Sequence, residues 1–210
     1  MEDETGFPTV GVPGTIDNDI FGTDETIGFN TAVNTGIEAI DRIRDTASSH
    51  DRLFLVEVMG RNSGFIAVQV GIGGGAETIL VPEKEISLES ICKSIDRGIK
   101  RGKTSSILVV AEGPNSGRAA QLSDQLSQKG YGPRVCILGH TQRGGSPTAR
   151  DRFLGSTLGA SAVQYLLAGK SNGFVGVKDE AVAWVPFQES LKKKKALPKE
   201  VLELSGVLAT

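Results

Sequence analysis

Segments typical of strands and segments typical of helices alternate along the 210-residue chain. Residues 106–111 are almost entirely apolar, which is typical of a strand buried on both faces of a sheet. Residues 88–99 repeat their apolar side chains with helical spacing, and Ser87 stands where an N-cap belongs. Because an alternating order needs crossover connections, we expect a mostly parallel sheet with helices on both faces.

The same patterns place the other elements. The predicted strands are 9–12, 53–58, 77–81, 106–111 and 134–138, with a hairpin over 174–185. The predicted helices are 26–46, 64–73, 88 to near Gly102, 119–128 and 152–168. The four lysines Lys192–Lys195 are expected to be a solvated helix end.

Composition excludes several classes of partner. The net charge of −2 and the scattered aromatic residues argue against a surface that binds nucleic acid or anionic membrane. No apolar run approaches the roughly 20 residues that a membrane-spanning helix needs. Cys92 and Cys136 lack the spacing of a metal site, so we expect buried thiols in a reducing compartment.

Two carboxylates follow the first predicted strand, in the segment Pro13–Asp19. Asp17 and Asp19 are two positions apart, so in an extended segment they face the same way. Such a pair can divide the work of taking a proton and holding a cation. The alternative is an Asx-turn whose carboxylates are solvated.

Polar groups also follow three later strands. Arg61 comes after 53–58, Glu112 comes after 106–111, and a glycine-rich turn with His140 and Arg143 comes after 134–138. Taken singly, Glu112 could as well be a helix N-cap as a binding residue. Each arginine could as well be an exposed turn residue as an anion ligand. Because parallel strands end at one edge of a sheet, together they predict one polar mouth. Acids for an alcohol and cations for phosphates indicate phosphoryl transfer to, or binding of, a phosphorylated polyol.

Three motifs resemble those of the bacterial-type 6-phosphofructokinase family, in order and spacing. They are PGTIDND at 13–19, EVMGR at 57–61 and GHTQRGGSP at 139–147. The resemblance implies an α/β phosphofructokinase fold of parallel-sheet, Rossmann-like layers in a three-layer α/β/α arrangement. It also implies that the N-terminal part of the nucleotide domain, with the turn that cradles ATP, is missing here. Residues 1–28 and 141–210 would be the remainder of the ATP-binding domain, and 29–140 the fructose 6-phosphate and effector domain.

The resemblance implies transfer of a phosphoryl group from ATP to the 1-hydroxyl of fructose 6-phosphate, a step of glycolysis. Asp17 would be the base, Asp19 would orient Mg²⁺, Thr15 would contact the phosphoryl group and Arg61 would stabilise its charge. Gly14 favours ATP over pyrophosphate, because pyrophosphate-using members typically carry lysine there.

Substrate, effector and assembly follow from the same resemblance. The sugar phosphate would be bound by Met59, Gly60, Glu112, His140 and Arg143, with Arg52 and Arg134 reaching it from a neighbouring subunit of a homotetramer. Effector residues would be Arg44, Gly75, Glu77, Arg101 and Lys103. An equal alternative is a purely structural role, in which Arg44 and Arg101 are cations near helix ends, favoured by the helix dipole. The enzyme would be cytoplasmic, and this chain would lack a competent ATP site by itself. Alternatives are a non-catalytic module that binds sugar phosphate or nucleotide effector, and a scaffold that only assembles with complete subunits.

Overall fold

The computed structural model describes residues 6–46, 53–103, 105–114 and 117–208. The strands are β1 (Val10–Gly11), β2 (Gly14–Thr15), β3 (Ile27–Gly28), β4 (Leu53–Val58), β5 (Thr78–Leu80), β6 (Ser106–Ala111), β7 (Pro133–Ile137), β8 (Gly173–Lys178) and β9 (Ala181–Pro186). The helices are α1 (Phe29–Thr46), α2 (Phe65–Gly73), α3 (Leu88–Lys100), α4 (Arg118–Gln128), α5 (Ala149–Leu167), α6 (Phe187–Lys192) and α7 (Lys199–Leu208), with a 3₁₀-helix over Gly139–Arg143. None of the described helices is both long and apolar enough to cross a bilayer.

The chain divides into two compact units. The first unit comprises Met1–Thr31 and Ser146–Ala196, and the second comprises Ala32–Gly145 and Leu197–Thr210. The predicted α/β class is confirmed in both, since parallel strands and helices make up each unit.

The second unit is built on a four-stranded sheet in the order β5-β6-β4-β7, with every neighbouring pair parallel. All six residues of β6 are buried, as its apolar sequence predicts. Leu55, Leu108 and Val110 pack with Ile91 of α3 and Leu126 of α4 in one core cluster. Helix α3 begins at the predicted cap, where the Ser87 hydroxyl accepts a hydrogen bond from the backbone N–H of Ser90 at 3.2 Å.

The first unit has a smaller framework. Strand β8 pairs in parallel with β1 and antiparallel with β9, which confirms the predicted hairpin. Strands β2 and β3 form a separate parallel pair of two residues each. Leu154 and Leu158 of α5 pack on Val175 and Val177 of β8.

The prediction of a helix from residue 26 is wrong at its start. Ile27 and Gly28 form β3, and the helix begins at Phe29. Gly28 has φ of 101°, a conformation that no helical residue adopts and that glycine reaches without strain. Apolar periodicity alone misses this, because Ile27 fits either pattern.

Candidate functional site

The carboxyl ends of three strands in the second unit lie level with one another. Val58 of β4 is in register with Ala111 of β6, and Glu57 is in register with Ile137 of β7. Two backbone hydrogen bonds continue this alignment past the strands, from Glu112 N–H to Val58 O at 2.9 Å and from Leu138 N–H to Glu57 O at 3.0 Å. The structure therefore brings three of the predicted strand-end segments to one edge: Met59–Arg61, Glu112 and Gly139–Arg143.

The turn after β4 has a backbone that only certain residues allow. Gly60 has φ of 143°, and a Cβ at this position would overlap the carbonyl oxygen of Ser63. Arg61 has φ of 50°, which is uncommon for a residue with a side chain. Its backbone N–H donates to a carboxylate oxygen of Glu112 at 3.1 Å. Strain of this kind concentrates at functional sites, where the surrounding contacts hold it.

Glu112 thus contacts the turn after β4 and does not act as a helix N-cap. The acidic group that serves α4 is Glu57, whose carboxylate accepts hydrogen bonds from the backbone N–H groups of Gly117 and Ala119 at 3.3 Å and 2.7 Å. Glu57 is 2% exposed. A carboxylate at the first turn of a helix is stabilised by the backbone donors and the helix dipole.

Gln142 is a residue that the sequence analysis did not single out. It is 1% exposed, and its side-chain oxygen accepts from the Met59 N–H at 2.8 Å while its amide donates to Ala32 O at 3.2 Å. Gln142 therefore ties the turn after β7 to the end of β4. Its position between His140 and Arg143 was visible in the motif, but nothing local indicated that it points inward.

His140 and Arg143 lie on the 3₁₀-helix beside Gln142, and both side chains are exposed. This arrangement leaves a ring nitrogen and a guanidinium accessible to an anion, which the sequence favoured over a simple turn.

Arg134 does not join this edge within the chain. It is in register with Phe54, near the amino end of the parallel strands, and it is exposed. Arg52 lies outside the described residues. The role expected of Arg134 at the site of a neighbouring subunit stays a prediction.

The residues predicted to bind an effector form two pairs of contacts in the second unit. The Arg44 guanidinium donates to the carbonyl oxygens of Gly74 and Gly75 at 2.6 Å and 2.7 Å. Glu77 is buried, where it pairs with Lys103 at 3.3 Å and accepts from the backbone N–H of Ile107 at 2.5 Å. Arg101 is exposed at the end of α3. Arg44, Glu77 and Lys103 therefore have structural contacts in this chain, and the effector role of the five residues stays a prediction.

The Asp17 turn, defined as residues 15–19, is the candidate segment of the first unit. Asp17 is 7% exposed and its backbone N–H donates to the Thr15 hydroxyl at 3.2 Å, whereas Asp19 is exposed. The expectation of an extended segment with both carboxylates facing the same way is wrong. Asn18 has φ of 54°, so the chain bends between them.

The bend is held by the buried side chain of Asn18. It is 4% exposed, its amide donates to Asp24 O at 3.2 Å, and its oxygen accepts from Lys195 Nζ at 3.0 Å. Lys195 also donates to Asp24 O at 2.7 Å. Desolvation lowers the pKa of Lys195 to about 8, against the opposing effect of Asp24, Glu25 and Asp19. The prediction of a solvated lysine run is therefore wrong for Lys195.

A second buried polar side chain holds the end of β3 in place. Asp151 of α5 is 4% exposed and accepts from the backbone N–H of Gly28 at 2.8 Å and of Thr31 at 2.7 Å. It also accepts a short hydrogen bond from the Thr31 hydroxyl. These three donors on one carboxylate fix the end of β3, which pairs with the strand that leads into the Asp17 turn.

Polar residues at the carboxyl ends of parallel strands define the class: an α/β protein with its site at the strand ends. Comparison with known proteins makes this specific. The sequence profile described as Phosphofructokinase matches residues 1–166, so the chain belongs to the phosphofructokinase family.

Close relatives carry a more detailed name. The chain is 53% identical over 210 residues to ATP-dependent 6-phosphofructokinase 1 of Thermus thermophilus, which covers 100% of this chain and 65% of that protein. It is 50% identical over 207 residues to ATP-dependent 6-phosphofructokinase of Brevibacillus brevis, covering 98% of this chain and 64% of the relative. The chain therefore spans just under two thirds of the length of these relatives.

Solved structures share the fold. Phosphofructokinase from Saccharomyces cerevisiae superposes with a TM-score of 0.82 at 33% identity, over 96% of this chain and 28% of that one. Pyrophosphate-dependent phosphofructokinase from Marinobacter aquaeolei superposes with a TM-score of 0.81 at 27% identity, over 95% and 57%.

Proposed function

We propose that this chain forms part of an ATP-dependent 6-phosphofructokinase, which transfers a phosphoryl group from ATP to the 1-hydroxyl of fructose 6-phosphate. The observation that carries the proposal is the level edge of β4, β6 and β7, where Met59–Arg61, Glu112 and Gly139–Arg143 meet. The relatives named above support the substrate and the donor, as does Gly14 in place of the lysine of pyrophosphate-using members.

The chemistry of this proposal rests on three residues, Asp17, Thr15 and Arg61. Asp17 takes the proton of the 1-hydroxyl, and its burial keeps the carboxylate out of bulk water. Thr15 contacts the transferring phosphoryl group. Arg61 stabilises the charge on that group, since phosphoryl transfer depends mainly on positioning and charge neutralisation.

The residues present fit a magnesium ion bound together with phosphates. Mg²⁺ commonly takes one or two carboxylates and completes its shell with water and phosphate oxygens. Asp19 offers an exposed carboxylate in the Asp17 turn, and we assign it this role. When bound, the ion would neutralise phosphate charge.

The second unit supplies the sugar-phosphate site. Met59, Gly60 and Glu112 hold the sugar, while His140 and Arg143 bind its 6-phosphate. We propose that Arg52 and Arg134 reach this phosphate from a neighbouring subunit of a homotetramer. Residues 1–28 and 141–210 are proposed as part of the ATP-binding domain and 29–140 as the fructose 6-phosphate and effector domain of a cytoplasmic, allosterically regulated enzyme. Its proposed effector residues are Arg44, Gly75, Glu77, Arg101 and Lys103.

Calorimetry on the 210-residue chain tests the sugar-phosphate site. Fructose 6-phosphate should bind more tightly than fructose, and Arg143→Ala should weaken only the phosphorylated ligand by about tenfold, because a charge-assisted contact is lost. The affinity should rise with protein concentration if a neighbouring subunit contributes, since assembly and binding are then linked. Equal affinity for both sugars in the parent chain would contradict the assignment.

Turnover tests the activity. We define the joined subunit as this chain fused to the part of the Thermus thermophilus relative that it does not span. The joined subunit should convert fructose 6-phosphate to the bisphosphate with ATP and should use pyrophosphate poorly. Binding of fructose 6-phosphate without turnover would instead favour the non-catalytic binding module.

A further inference from the structure

The segment after β9 folds over the loop that carries the Asp17 turn. The Ser190 hydroxyl donates to Phe21 O at 2.8 Å, and the Lys193 ammonium lies 5.1 Å from the centre of the Phe21 ring. Lys195 then reaches Asn18 and Asp24, as described above. Four contacts, made by Ser190, Lys193 and Lys195, therefore attach residues 190–195 to residues 18–24.

The loop is itself attached to the main sheet of the first unit. The Asp24 N–H donates to Val177 O of β8 at 2.7 Å, and its carboxylate accepts from the Asp179 N–H at 2.8 Å. The Val177 N–H donates to the Thr23 hydroxyl at 3.0 Å. Asp24 is thus a fixed point, and Lys195 links Asn18 to it.

Asn18 stands between the two carboxylates of the turn, so its position sets theirs. Its φ of 54° is a conformation that asparagine tolerates but does not prefer, and it needs external contacts to persist. The contacts come from Lys195, from Asp24 O and from the Thr26 hydroxyl at 3.4 Å. The same Thr26 hydroxyl donates to Thr15 O at 2.6 Å, at the start of the turn.

Removing the Lys195 ammonium from water costs free energy, so its contacts inside the fold must offset this cost. Lys195 lines a cavity of about 510 Å³ together with Phe21, Asp24, Trp184 and Lys193. Lys194, its neighbour in the chain, is exposed. The Lys195 ammonium bridges Asn18 and Asp24 with two hydrogen bonds, which reinforce the direct hydrogen bond from the Asn18 amide to Asp24 O.

We propose that Lys195 is a positioning residue that holds the Asp17 turn in the conformation used for phosphoryl transfer. The inference rests on the proposed function for the transfer itself, but the contacts that it invokes are independent of it. Lys195 acts through Asn18 and does not touch substrate.

The first experiment measures steady-state kinetics of the joined subunit. Lys195→Met should lower kcat by about tenfold or more while the KM for fructose 6-phosphate changes by less than about twofold, because the sugar-phosphate residues are untouched. Lys195→Arg, which keeps a cationic donor, should recover most of kcat. Lys194→Met is the matched control and should behave as the parent. An unchanged kcat in Lys195→Met would overturn the proposal. The proposal would also be overturned if Lys195→Arg failed to recover kcat and the KM of Lys195→Met rose by the same factor as its kcat fell.

The second experiment uses hydrogen exchange on the 210-residue chain and needs no activity. Peptides covering 14–24 should exchange about tenfold faster in Lys195→Met, while peptides covering β4 and β6 should not change. Unaltered exchange at 14–24 would refute the positioning role even if the joined subunit were inactive. An inactive parent with the expected exchange would instead refute only the proposed function.

A third variant covers the case in which Lys195→Met does not fold. Asn18→Ala removes the contact with Lys195 together with the contacts with Asp24 and Thr26, so it should lower kcat and speed exchange at 14–24 by at least as much as Lys195→Met. Adding Lys195→Met to Asn18→Ala should have little further effect on kcat, because the hydrogen bond between the two side chains is already absent. Additive effects would show that Lys195 acts by another route.

Discussion

The two units hold their candidate residues by different means. In the second unit the parallel register of β4, β6 and β7 sets the positions of Met59, Glu112 and Leu138, so these residues are placed mainly by backbone pairing. In the first unit β2 has only two residues, and the Asp17 turn is held by side chains that come from distant parts of the sequence. The positions of candidate residues at a strand end can therefore be set either by backbone pairing within the sheet or by hydrogen bonds from distant side chains.

The largest expected effect is kinetic: substitution of Asp17 in the first unit should lower kcat, whereas substitution of Arg143 in the second unit should raise the KM for fructose 6-phosphate. In the joined subunit, Asp17→Ser should reduce kcat by about 10² to 10⁴, the contribution expected of a general base, with little change in the KM for fructose 6-phosphate. Arg143→Ala should do the reverse and mainly raise KM. Steady-state kinetics with varied sugar phosphate checks both, and an unaltered kcat in Asp17→Ser would contradict the proposed base.

The anchors behind the two sites should differ in their contribution to stability. Asp151→Asn should lower the free energy of unfolding by about 3 kcal/mol, because a buried carboxylate with three donors is replaced by a group that offers one acceptor oxygen. Chemical denaturation of the 210-residue chain measures this. Asp124→Asn, at an exposed site on α4, is the control. A loss below 1 kcal/mol would show that Asp151 is not the main anchor of β3, since about 1 kcal/mol is the worth of an ordinary hydrogen bond.

Gln142 is the corresponding anchor in the second unit. Gln142→Met keeps the volume but leaves the N–H of Met59 and the carbonyl of Ala32 without this partner, so we expect a loss of about 2 kcal/mol. Gln142→Glu retains the acceptor and loses the donor. Denaturation curves that rank the glutamate variant as more stable than the methionine variant would show that the contact with Met59 dominates, whereas no loss in either would contradict the anchoring role.

The smallest expected effect concerns pH. Burial lowers the pKa of Lys195 to about 8 from its ordinary value of 10.5, so the folded chain binds fewer protons than the unfolded chain between these values. Stability from this group should therefore rise as the pH increases through that window. Because the side chain is partly exposed, we expect less than about 1 kcal/mol. The free energy of unfolding of the parent, minus that of Lys195→Met, should increase from pH 8 to pH 10; a flat difference would contradict the shift.

The contrast between the units also explains what the sequence could reveal. The motifs at 57–61 and 139–147 adjoin strands of five or six residues, whose apolar pattern predicts both the strand and the place where it ends. The parallel order and the hairpin over 174–185 followed from similar local signals.

What the sequence missed depends on long-range contacts. The bend at Asn18 requires Asp24 and Lys195, and a run of four lysines carries no sign that its last member turns inward. Gln142 likewise looks like any polar residue of a glycine-rich turn until the Met59 N–H is placed beside it. Hydrophobic periodicity records burial of apolar groups and does not record which buried polar groups meet.

The inward side chain of Asn18 has a consequence for protein engineering. Residues 13–19 contain the candidate base and the candidate cation ligand within seven positions, which makes them an obvious segment to transplant. The hydrogen bonds that shape this module come from residues 24 and 26 and, 177 positions beyond Asn18, from Lys195. A host scaffold that receives the heptapeptide alone would hold its carboxylates in a different turn, so a successful graft must carry the lysine and its strand-bound loop as well.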